Sequence, residues 1–367
     1  MKRAVVLIDG EHYAPVVRDA LRALPYEWVG AILVGGTEKL RQGGDYGVPL
    51  VDGFGDAELV VDLSDEPVLG PAERMRWASR ALAAGLPYVG ADFRFDPPTF
   101  EPFDLPSIAV IGTGKRVGKT AVTVQLARLL ARDREVVVVA MGRGGPPEPE
   151  LVTAPPTVDE LVARSRAGRH AASDHLEIAA LAGVPTIGCR RAGGGLAGAV
   201  FVSNVAEGAL LAAARKPDVV VFDGSGAAIP PVAVDRRVLV VGRGQRADDY
   251  LNTYRRLISD VVIEHAELRL RPTAELEGRV AVFTAGTTDV SHLEADVVHV
   301  SSNLADRLAL RDDLVDADTY LVELKGAAVD VVAEHAVTHG IRVVLAANDV
   351  VAPGLDEQLL SLAPVTA

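Results

Sequence analysis

Residues 108–131, IAVIGTGKRVGKTAVTVQLARLLA, combine a short apolar run, a glycine-rich turn and apolar residues at helical spacing. This order predicts a buried strand, a tight loop and an amphipathic helix, the arrangement of a phosphate-binding loop. Gly118 leaves space for backbone N–H groups around a phosphate, Lys119 supplies a cation for the β- and γ-phosphates, and Thr120 a hydroxyl for Mg²⁺. The start of the helix adds unpaired N–H groups. The stretch therefore predicts a nucleoside-triphosphate site.

The loop departs from the strict pattern G-x-x-x-x-G-K-[ST] at one position, because Thr113 stands where the pattern has glycine. In this it resembles the Gly-Thr-x-x-x-Val-Gly-Lys-Thr loop of the dethiobiotin synthetase-like branch of P-loop proteins. The alternative is a dinucleotide fingerprint made by Gly112, Gly114 and Gly118, but its spacing is one residue too long and it leaves Lys119 unexplained. We therefore expect ATP. The residues expected to bind it in this loop are Gly114, Lys115, Arg116, Val117, Gly118, Lys119, Thr120 and Ala121.

Length and composition limit the class of protein. A chain of 367 residues with 49% apolar and 24% charged residues can bury the cores of two or three domains. It has no apolar run long enough to cross a bilayer and no signal peptide, and its single cysteine is typical of a reducing compartment. The net charge of -13 and the lack of a basic run argue against a nucleic-acid partner. We expect a soluble cytoplasmic protein with no membrane or nucleic-acid partner.

The first hundred residues alternate strand and helix patterns and predict a small parallel, Rossmann-like α/β domain. The predicted strands are 4–8, 29–34, 58–62 and 88–90, and the predicted helices are 15–24 and 71–84. Asp9, Glu11 and His12 follow the first strand, where open α/β sheets bind ligands, so they are candidate substrate residues. The alternative is that Asp9 and Glu11 only start the following helix.

Two further segments carry charged candidates. An apolar strand at 135–140 leads to Arg143, which lies between glycines and can approach a phosphate closely; the alternative is an exposed loop arginine. A helical pattern covers 157–181, where Asp174 and Glu177 are three residues apart and share a face that could bind Mg²⁺. The alternative is a capping Ser173 with both acids in the first turn.

The segment 188–198, GCRRAGGGLAG, places two adjacent arginines before three glycines. Because glycines give the backbone freedom, we interpret it as a lid or a cradle for a polyanion, with Arg190 and Arg191 as its cations. The alternative is an exposed hairpin. Cys189 beside these arginines has either a lowered pKa or, as a packed thiol, no chemical role.

The next strands end in polar residues as well. Asp223 follows the apolar run 219–222 and has the position of the carboxylate that holds Mg²⁺ through water in P-loop enzymes. Arg243 lies between glycines after strand 238–241, in a loop that could hold adenine. Lys325 and Gly326 lie between a strand and a helix and could bind a further anion.

The patterns together predict an α/β protein of three domains. A Rossmann-like domain (1–103) is followed by a P-loop NTPase domain with a parallel sheet (104–272) and by a C-terminal α/β domain (273–367). The strands predicted in the last domain are 279–285, 297–301, 319–324 and 342–345.

The assembled segments resemble the cyclic 2,3-diphosphoglycerate synthetase family. The motifs that carry the resemblance are residues 7–13, 112–120, 141–146, 188–195 and 223–231. They span nearly two thirds of the chain, whereas the C-terminal third contributes mainly Lys325 and Gly326. The resemblance implies ATP-driven closure of 2,3-bisphosphoglycerate into its cyclic pyrophosphate, with release of ADP and phosphate. We further expect Mg²⁺ as a cofactor and a homodimer, and we leave a requirement for K⁺ open.

Within that activity, each candidate residue has an expected role. The expected catalytic residues are Lys119, Arg143, Arg190, Arg191 and Asp223. The expected substrate contacts are Asp9, Glu11, His12, Arg143, Arg190, Arg191 and Lys325. The expected metal ligands are Thr120, Asp174, Glu177 and Asp223, and Arg243 is expected to bind the nucleotide. The alternatives are a 2-phosphoglycerate kinase, a dethiobiotin synthetase-like ligase, and an ATPase that switches a partner protein.

Overall fold

The computed structural model describes residues 1–36, 45–246, 249–264 and 266–363. These divide into two units, each with its own interior. The first unit comprises Met1–Thr99, Gly195–Ala199 and Gly244–Ser259, and the second the remaining described residues from Phe100 onwards. The predicted division into three domains stays a prediction.

The helices and strands follow one another in the order expected of an α/β chain. Up to residue 112 they are β1 (Lys2–Ile8), α1 (Ala14–Ala23), β2 (Tyr26–Leu33), β3 (Leu59–Asp62), α2 (Pro71–Ala83), β4 (Tyr88–Val89), β5 (Arg94–Phe95) and β6 (Ser107–Gly112). They continue with α3 (Lys119–Leu130), β7 (Val136–Gly142), β8 (Glu150–Val152), α4 (Val158–Arg166), α5 (Asp174–Ala182), β9 (Thr186–Ala192), β10 (Val202–Ser203), α6 (Val205–Ala213), β11 (Val219–Asp223), β12 (Arg236–Val240), α7 (Asn252–Leu257) and β13 (Val261–Ile263). The last are β14 (Glu267–Pro272), β15 (Arg279–Phe283), β16 (Asp296–Ser301), α8 (Arg307–Asp312), β17 (Thr319–Glu323), a π-helix (Ala328–Ala333), α9 (Glu334–His339), β18 (Arg342–Val351) and α10 (Leu355–Ser361).

The first unit contains a sheet with the strand order β2-β1-β3-β4-β5. The first four strands are parallel and β5 is antiparallel to β4. Helix α7, distant in sequence, packs on α2 within the same unit. The predicted parallel α/β character of this segment is confirmed.

The second unit contains the P-loop sheet, with the order β10-β9-β7-β11-β6-β12-β13 and β8 paired to β9. Strands from β9 to β13 along this order are parallel. Every residue of β6, β7 and β11 is buried, because a parallel strand is covered on both faces. Parallel strands end at the same edge of a sheet, so Gly112, Gly142 and Asp223 lie together at that edge.

The third sheet, also in the second unit, has the order β14-β18-β17-β15-β16. Its strand β18 and helix α10 pack against the P-loop helix α3, and Val350, Leu355 and Leu359 belong to the same apolar core as β6. Gln125 on α3 adds polar contacts, since its Oε1 accepts a hydrogen bond from the N–H of Val350 at 3.1 Å and its Nε2 donates to Asp356. The C-terminal part thus shares its interior with the P-loop part.

Two predictions of local structure are wrong. The segment 157–181 forms two helices, because the chain turns at Gly168, which has a φ of 73° in the left-handed region. Arg190 and Arg191 lie in strand β9 and not in a flexible loop. Strand β9 pairs with β7 as far as Arg190, and β10 pairs with Arg191 and Ala192. Strand β10 pairs back on β9, so the hairpin alternative describes this segment.

The shared interior can be tested at α10. Leu359 is fully buried, and its replacement by alanine leaves a cavity, so Leu359→Ala should lower the free energy of unfolding by about 2–5 kcal/mol. The neighbouring Leu360 is 37% exposed, and Leu360→Ala should cost about 0.5 kcal/mol or less. Urea denaturation of both variants measures this difference, and equal costs would contradict the packing of α10.

Candidate active site

The P-loop lysine is folded back over its own loop. Helix α3 begins at Lys119, after Gly118 with a φ of 96°. The side chain of Lys119 is 7% exposed, and its Nζ donates a hydrogen bond to the carbonyl oxygen of Gly114 at 3.1 Å. A Cβ at Gly112 would lie 2.8 Å from Cδ of Lys119, so glycine is needed there for the stem to pass. The ammonium group is thereby held inside the loop.

Thr113 has a structural role that explains the departure from the strict motif. Its side chain is buried and its Oγ1 accepts a hydrogen bond from the N–H of Gly242 at 3.1 Å. Its own N–H donates to the carbonyl oxygen of Val240 at 3.1 Å. Because both partners are at the end of β12, the threonine fixes the phosphate loop to the neighbouring strand.

Two carboxylates lie near this lysine. Asp223, at the end of β11, is buried and accepts a hydrogen bond from Oγ1 of Thr123 at 2.8 Å. Burial, together with the charge of Asp174, raises the pKa of Asp223 to about 7, although Lys119 opposes this. Burial also raises the pKa of Asp174, the first residue of α5, against the opposing charges of Lys119 and Lys325. A Cβ on Gly142 would lie 3.5 Å from Oδ2 of Asp174, which places this carboxylate at the ends of the same strands.

The pKa of Lys119 depends on all these charges. Burial lowers its pKa, Asp223 and Asp174 oppose this, and Arg143 and Arg191 add to it. The lysine therefore lies between carboxylates and guanidinium groups.

The C-terminal part contributes a second lysine. The Nζ of Lys325 lies 3.3 Å from Oε1 of Glu177 and 3.9 Å from Oε1 of Glu323. Burial acts to lower the pKa of Lys325, but these two carboxylates raise it above its ordinary value. Burial raises the pKa of Glu177 to about 7, against the charge of Lys325. Glu177, predicted as a metal ligand beside Asp174, has this lysine as its partner.

Glu323 was missed by the sequence analysis. Its Oε2 accepts a hydrogen bond from the N–H of Ala285 at 2.7 Å, and its Oε1 accepts one from Nδ2 of Asn348 at 2.5 Å. The signal was the one that identified Asp223, an acid at the end of a buried apolar strand. The carboxyl end of β17 therefore supplies a second carboxylate to Lys325, beside that of Glu177.

Two arginines converge on the turn after Asp223. A Cβ on Gly226 would lie 2.7 Å from Nη2 of Arg143 and 3.4 Å from Nη2 of Arg191. Arg191 also donates to the carbonyl oxygens of Gly193 at 2.6 Å and of Ser225 at 2.8 Å. Burial lowers the pKa of Arg191, and so does the nearby charge of Arg143. Two guanidinium groups thus crowd one side of the lysine site.

No described contact joins the side chain of Arg190 to Arg143 or Arg191. Adjacent residues of a strand point to opposite faces, so the side chains of Arg190 and Arg191 leave β9 in opposite directions. The backbone N–H of Arg190 donates to Oδ1 of Asn204 at 2.7 Å, and its side chain is exposed. Arg243 is likewise exposed, after β12.

The oxygen donors at the loop fit Mg²⁺. Thr120 is in the first turn of α3, and the neighbouring carboxylates of Asp223 and Asp174 supply the hard ligands that this ion prefers. Within the described ranges, no group of three or more His, Cys, Asp or Glu side chains could hold a metal. Proteins commonly bind Mg²⁺ through one or two carboxylates together with substrate phosphates, so this donor set is sufficient.

Three profiles of one family match the sequence in order. The profile "Cyclic 2,3-diphosphoglycerate synthetase, N-terminal domain" matches residues 3–56 and 54–96. The P-loop domain profile of the same synthetase matches residues 107–282, and its C-terminal domain profile matches residues 278–349.

The chain belongs to the cyclic 2,3-diphosphoglycerate synthetase family.

Relatives that bear the name cyclic 2,3-diphosphoglycerate synthetase align along nearly the whole chain. The Rubrobacter xylanophilus protein is 48% identical over 98% of this chain and 97% of its own length. The Pyrococcus abyssi protein is 38% identical over 94% of this chain and 93% of its own. The first alignment covers 429 positions, more than the 367 residues here, so that relative contains segments which this family member lacks.

A solved structure also matches, the LpxK protein of Aquifex aeolicus crystallised with ATP. It is 14% identical with a TM-score of 0.44, over 72% of this chain and 91% of that one. The P-loop domain of the family implies nucleotide binding. None of the described helices of this family member is long and apolar enough to span a membrane.

In this synthetase-family chain, Asp9 organises the loop after β1. Its carboxylate accepts hydrogen bonds from the N–H groups of Glu11 at 3.0 Å, His12 at 3.1 Å and Asp65 at 2.6 Å, and contacts Nδ1 of His12 at 2.8 Å. Burial acts to raise the pKa of Asp9, but the bonds from His12 and Asp65 lower it overall. Helix α1 begins only at Ala14, so Asp9 does not cap it. The substrate role of Asp9, Glu11 and His12 stays a prediction.

The hypothesis of an activated cysteine is wrong. Cys189 is 1% exposed, and burial, with the charge of Glu207, raises the pKa of its thiol to about 12. Gly208 on α6 lies so close that a Cβ there would collide with Sγ. Cys189 is therefore a packed core residue.

The native protein should accordingly resist thiol reagents. At pH 8 the raised pKa alone reduces the thiolate fraction by a factor of ~1,000, and burial slows the reaction further. Reaction with a chromogenic disulfide, followed with and without denaturant, measures the effect. Because Cys189 is the single cysteine, all the signal comes from one site, and fast labelling of the folded protein would contradict the packing.

Proposed function

We propose that the chain closes 2,3-bisphosphoglycerate into cyclic 2,3-diphosphoglycerate, with conversion of ATP to ADP and phosphate. Family membership over nearly the whole chain supports this activity. The observation that carries it is the convergence of Lys119, Arg143 and Arg191 at the carboxyl edge of the P-loop sheet. These cations suit a reaction in which several phosphates must approach one another.

The chemistry needs charge neutralisation more than a base. One phosphate of the substrate attacks the γ-phosphorus of ATP, and the bond to ADP breaks, giving a mixed anhydride. The other phosphate then attacks the inner phosphorus of that anhydride, the cyclic pyrophosphate forms, and inorganic phosphate leaves. Each nucleophile is already an anion, so no Ser-His-Asp arrangement is required.

The roles of the residues follow from their positions. Lys119 and the loop N–H groups hold the β- and γ-phosphates of ATP. Arg143 and Arg191 hold the phosphates of the substrate, because their guanidinium groups converge above Gly226. Thr120, Asp223 and Asp174 would hold Mg²⁺, which would supply further neutralisation of phosphate charge.

Lys325 is a further cation for the substrate, and its carboxylate partners orient it. Glu177 and Glu323 keep its Nζ in place at 3.3 and 3.9 Å. Glu177 thus acts through Lys325 and not as a metal ligand. The K⁺ requirement, the homodimer, the cytoplasmic location and the roles of Arg190 and Arg243 stay predictions.

The assignment of the ATP site is tested by Lys119→Ala. Loss of the cation at the transferred phosphoryl group should lower turnover by about a hundredfold or more, while the far-ultraviolet circular dichroism is unchanged. Lys2→Ala, which removes a lysine from an exposed position on β1, is the control and should keep full activity.

Phosphorus NMR of protein, ATP, Mg²⁺ and 2,3-bisphosphoglycerate identifies the product of both proteins. A cyclic pyrophosphate signal that depends on Lys119 supports the proposal. When 2-phosphoglycerate replaces 2,3-bisphosphoglycerate in the mixture, a new monoester phosphate would indicate a kinase. ATP hydrolysis without any substrate-derived product would indicate a switch protein. Full activity of Lys119→Ala would refute the assignment.

The separation of the adjacent arginines gives a second prediction. Arg191→Ala should raise the KM for 2,3-bisphosphoglycerate about tenfold or more, with a smaller change in the KM for ATP. Arg190→Ala should have the weaker effect on the KM for 2,3-bisphosphoglycerate, because the side chain of Arg190 lies on the face of β9 opposite to that of Arg191. Initial rates at varied concentrations of each substrate measure both constants. Equal effects of the two substitutions would count against this geometry.

A further inference from the structure

A cavity of about 470 Å³ lies in the second unit, beside the Lys325 cluster. Its wall combines His170, between α4 and α5, with the turn at Ala305 to Arg307 and the turn at Gly326. The cavity is open to solvent, since His170, Arg307 and Gly326 are exposed. The sequence analysis assigned no role to His170, Ala305 or Arg307.

The cavity wall offers hydrogen-bond donors to an anion. Among the hydrogen bonds of the described residues, none uses the backbone N–H of Ala305 or of Gly326 or the ring of His170. Arg307 contributes a guanidinium group, which is also paired with Asp330. The carboxylate of Asp306 also lies in the wall, where its Oδ1 accepts hydrogen bonds from the N–H groups of Leu308 and Ala309. The wall therefore presents two backbone N–H groups, an imidazole and a guanidinium group beside one carboxylate.

The turn that carries one of these donors is fixed by close packing. Gly326 has a φ of 56°, and a Cβ there would collide with the carbonyl oxygen of Leu304. The same oxygen accepts a hydrogen bond from the N–H of Ala327 at 2.9 Å. Because the turn is held in one conformation, its N–H can act as a preorganised donor.

Both ends of the cavity adjoin the proposed catalytic cations. Gly326 directly follows Lys325, which is bound to Glu177. On the other side, a Cβ on Gly144 would lie 3.0 Å from Cδ2 of His170, and Gly144 directly follows Arg143. Gly326 and Gly144, one lining the cavity and the other against His170, are thus the sequence neighbours of two proposed catalytic cations.

The chemistry of the substrate decides which group enters the cavity. Closure of a cyclic pyrophosphate brings both phosphates to the γ-phosphate of ATP, so both must lie at the P-loop and the arginines. The remaining anionic group of 2,3-bisphosphoglycerate is the C1 carboxylate. We infer that this cavity binds that carboxylate, through His170, Arg307 and the N–H groups of Ala305 and Gly326. This inference rests on the proposed function.

The test removes the carboxylate from the substrate and the donors from the protein. Glycerol 1,2-bisphosphate keeps both phosphates and has a hydroxymethyl group in place of the carboxylate. With the native enzyme its KM should exceed that of 2,3-bisphosphoglycerate by about tenfold to a hundredfold, as is typical for loss of a charged hydrogen-bond partner. With the double variant His170→Ala/Arg307→Ala the two compounds should differ by about threefold or less, because the partners on both sides are gone.

Three controls separate binding from structural damage. Arg311→Ala removes the same charge from an exposed position on α8 outside the cavity and should preserve the discrimination. Arg307→Lys keeps the charge. In a protein that also carries His170→Ala, it should restore part of the discrimination between the two compounds. The KM for ATP and the circular dichroism of the double variant should match those of the native protein.

The outcomes distinguish this inference from the proposed function. If the native protein makes no cyclic product, the proposed function fails, and calorimetric titration with the same two compounds still tests the cavity. If cyclic product forms and the double variant discriminates between the compounds as strongly as the native enzyme, the cavity does not bind the carboxylate. Equal rises in the KM for ATP and for 2,3-bisphosphoglycerate would also overturn the inference.

Discussion

The pairing of two lysines with buried carboxylates is the constraint on which the rest of the second unit depends. A buried charge without a partner costs several kcal/mol, so the buried Lys119 needs Asp223 and Asp174. The buried carboxylate of Glu177 likewise needs Lys325, whose own side chain is 33% exposed. The partners come from different elements, since Asp223 ends β11 and Glu177 lies on α5. The phosphate loop and the C-terminal sheet must therefore dock for the charges to be balanced, and the common apolar core at α10 holds them together.

The balance is incomplete without anions. The side chains of Arg143 and Arg191 converge at the turn around Gly226. Because both are positively charged they repel each other, and this repulsion is one reason why the pKa of Arg191 is lowered. The pKa of Lys119 is lowered by burial and by the same arginines. A phosphate between these cations would favour their charged forms and remove the repulsion. The site is thus built to gain free energy when several phosphates bind together, which is the difficulty that the proposed reaction must overcome.

Local features of the fold could be predicted from the sequence, whereas features that depend on distant partners could not. The P-loop and the strands β6, β7 and β11 were predicted because β-branched runs and glycine spacing are local signals. The loop interpretation of segment 188–198 was wrong for residues 188–192, which belong to β9, whereas residues 193–198 do form a loop. The glycines from 193 onwards suggested flexibility, but the strand before them is fixed by its pairing with β7 and β8. The partnership of Glu177 with Lys325 lacks a motif, since it joins α5 to the turn after β17, which is distant in sequence.

The same docking explains why a P-loop alone would not define this enzyme. A phosphate loop binds the triphosphate of a nucleotide in many proteins that share little else, so the acceptor must be selected by residues outside it. Here the candidates for selection come from both sides, with Arg143 after β7 and Lys325 after β17. Under the proposed function, a substrate held between the ends of these two sheets would meet a fixed number of cations at fixed positions. A compound with one phosphate would leave some of those cations unpaired and would bind less favourably, so the arrangement selects for a molecule with several anionic groups on a short carbon chain.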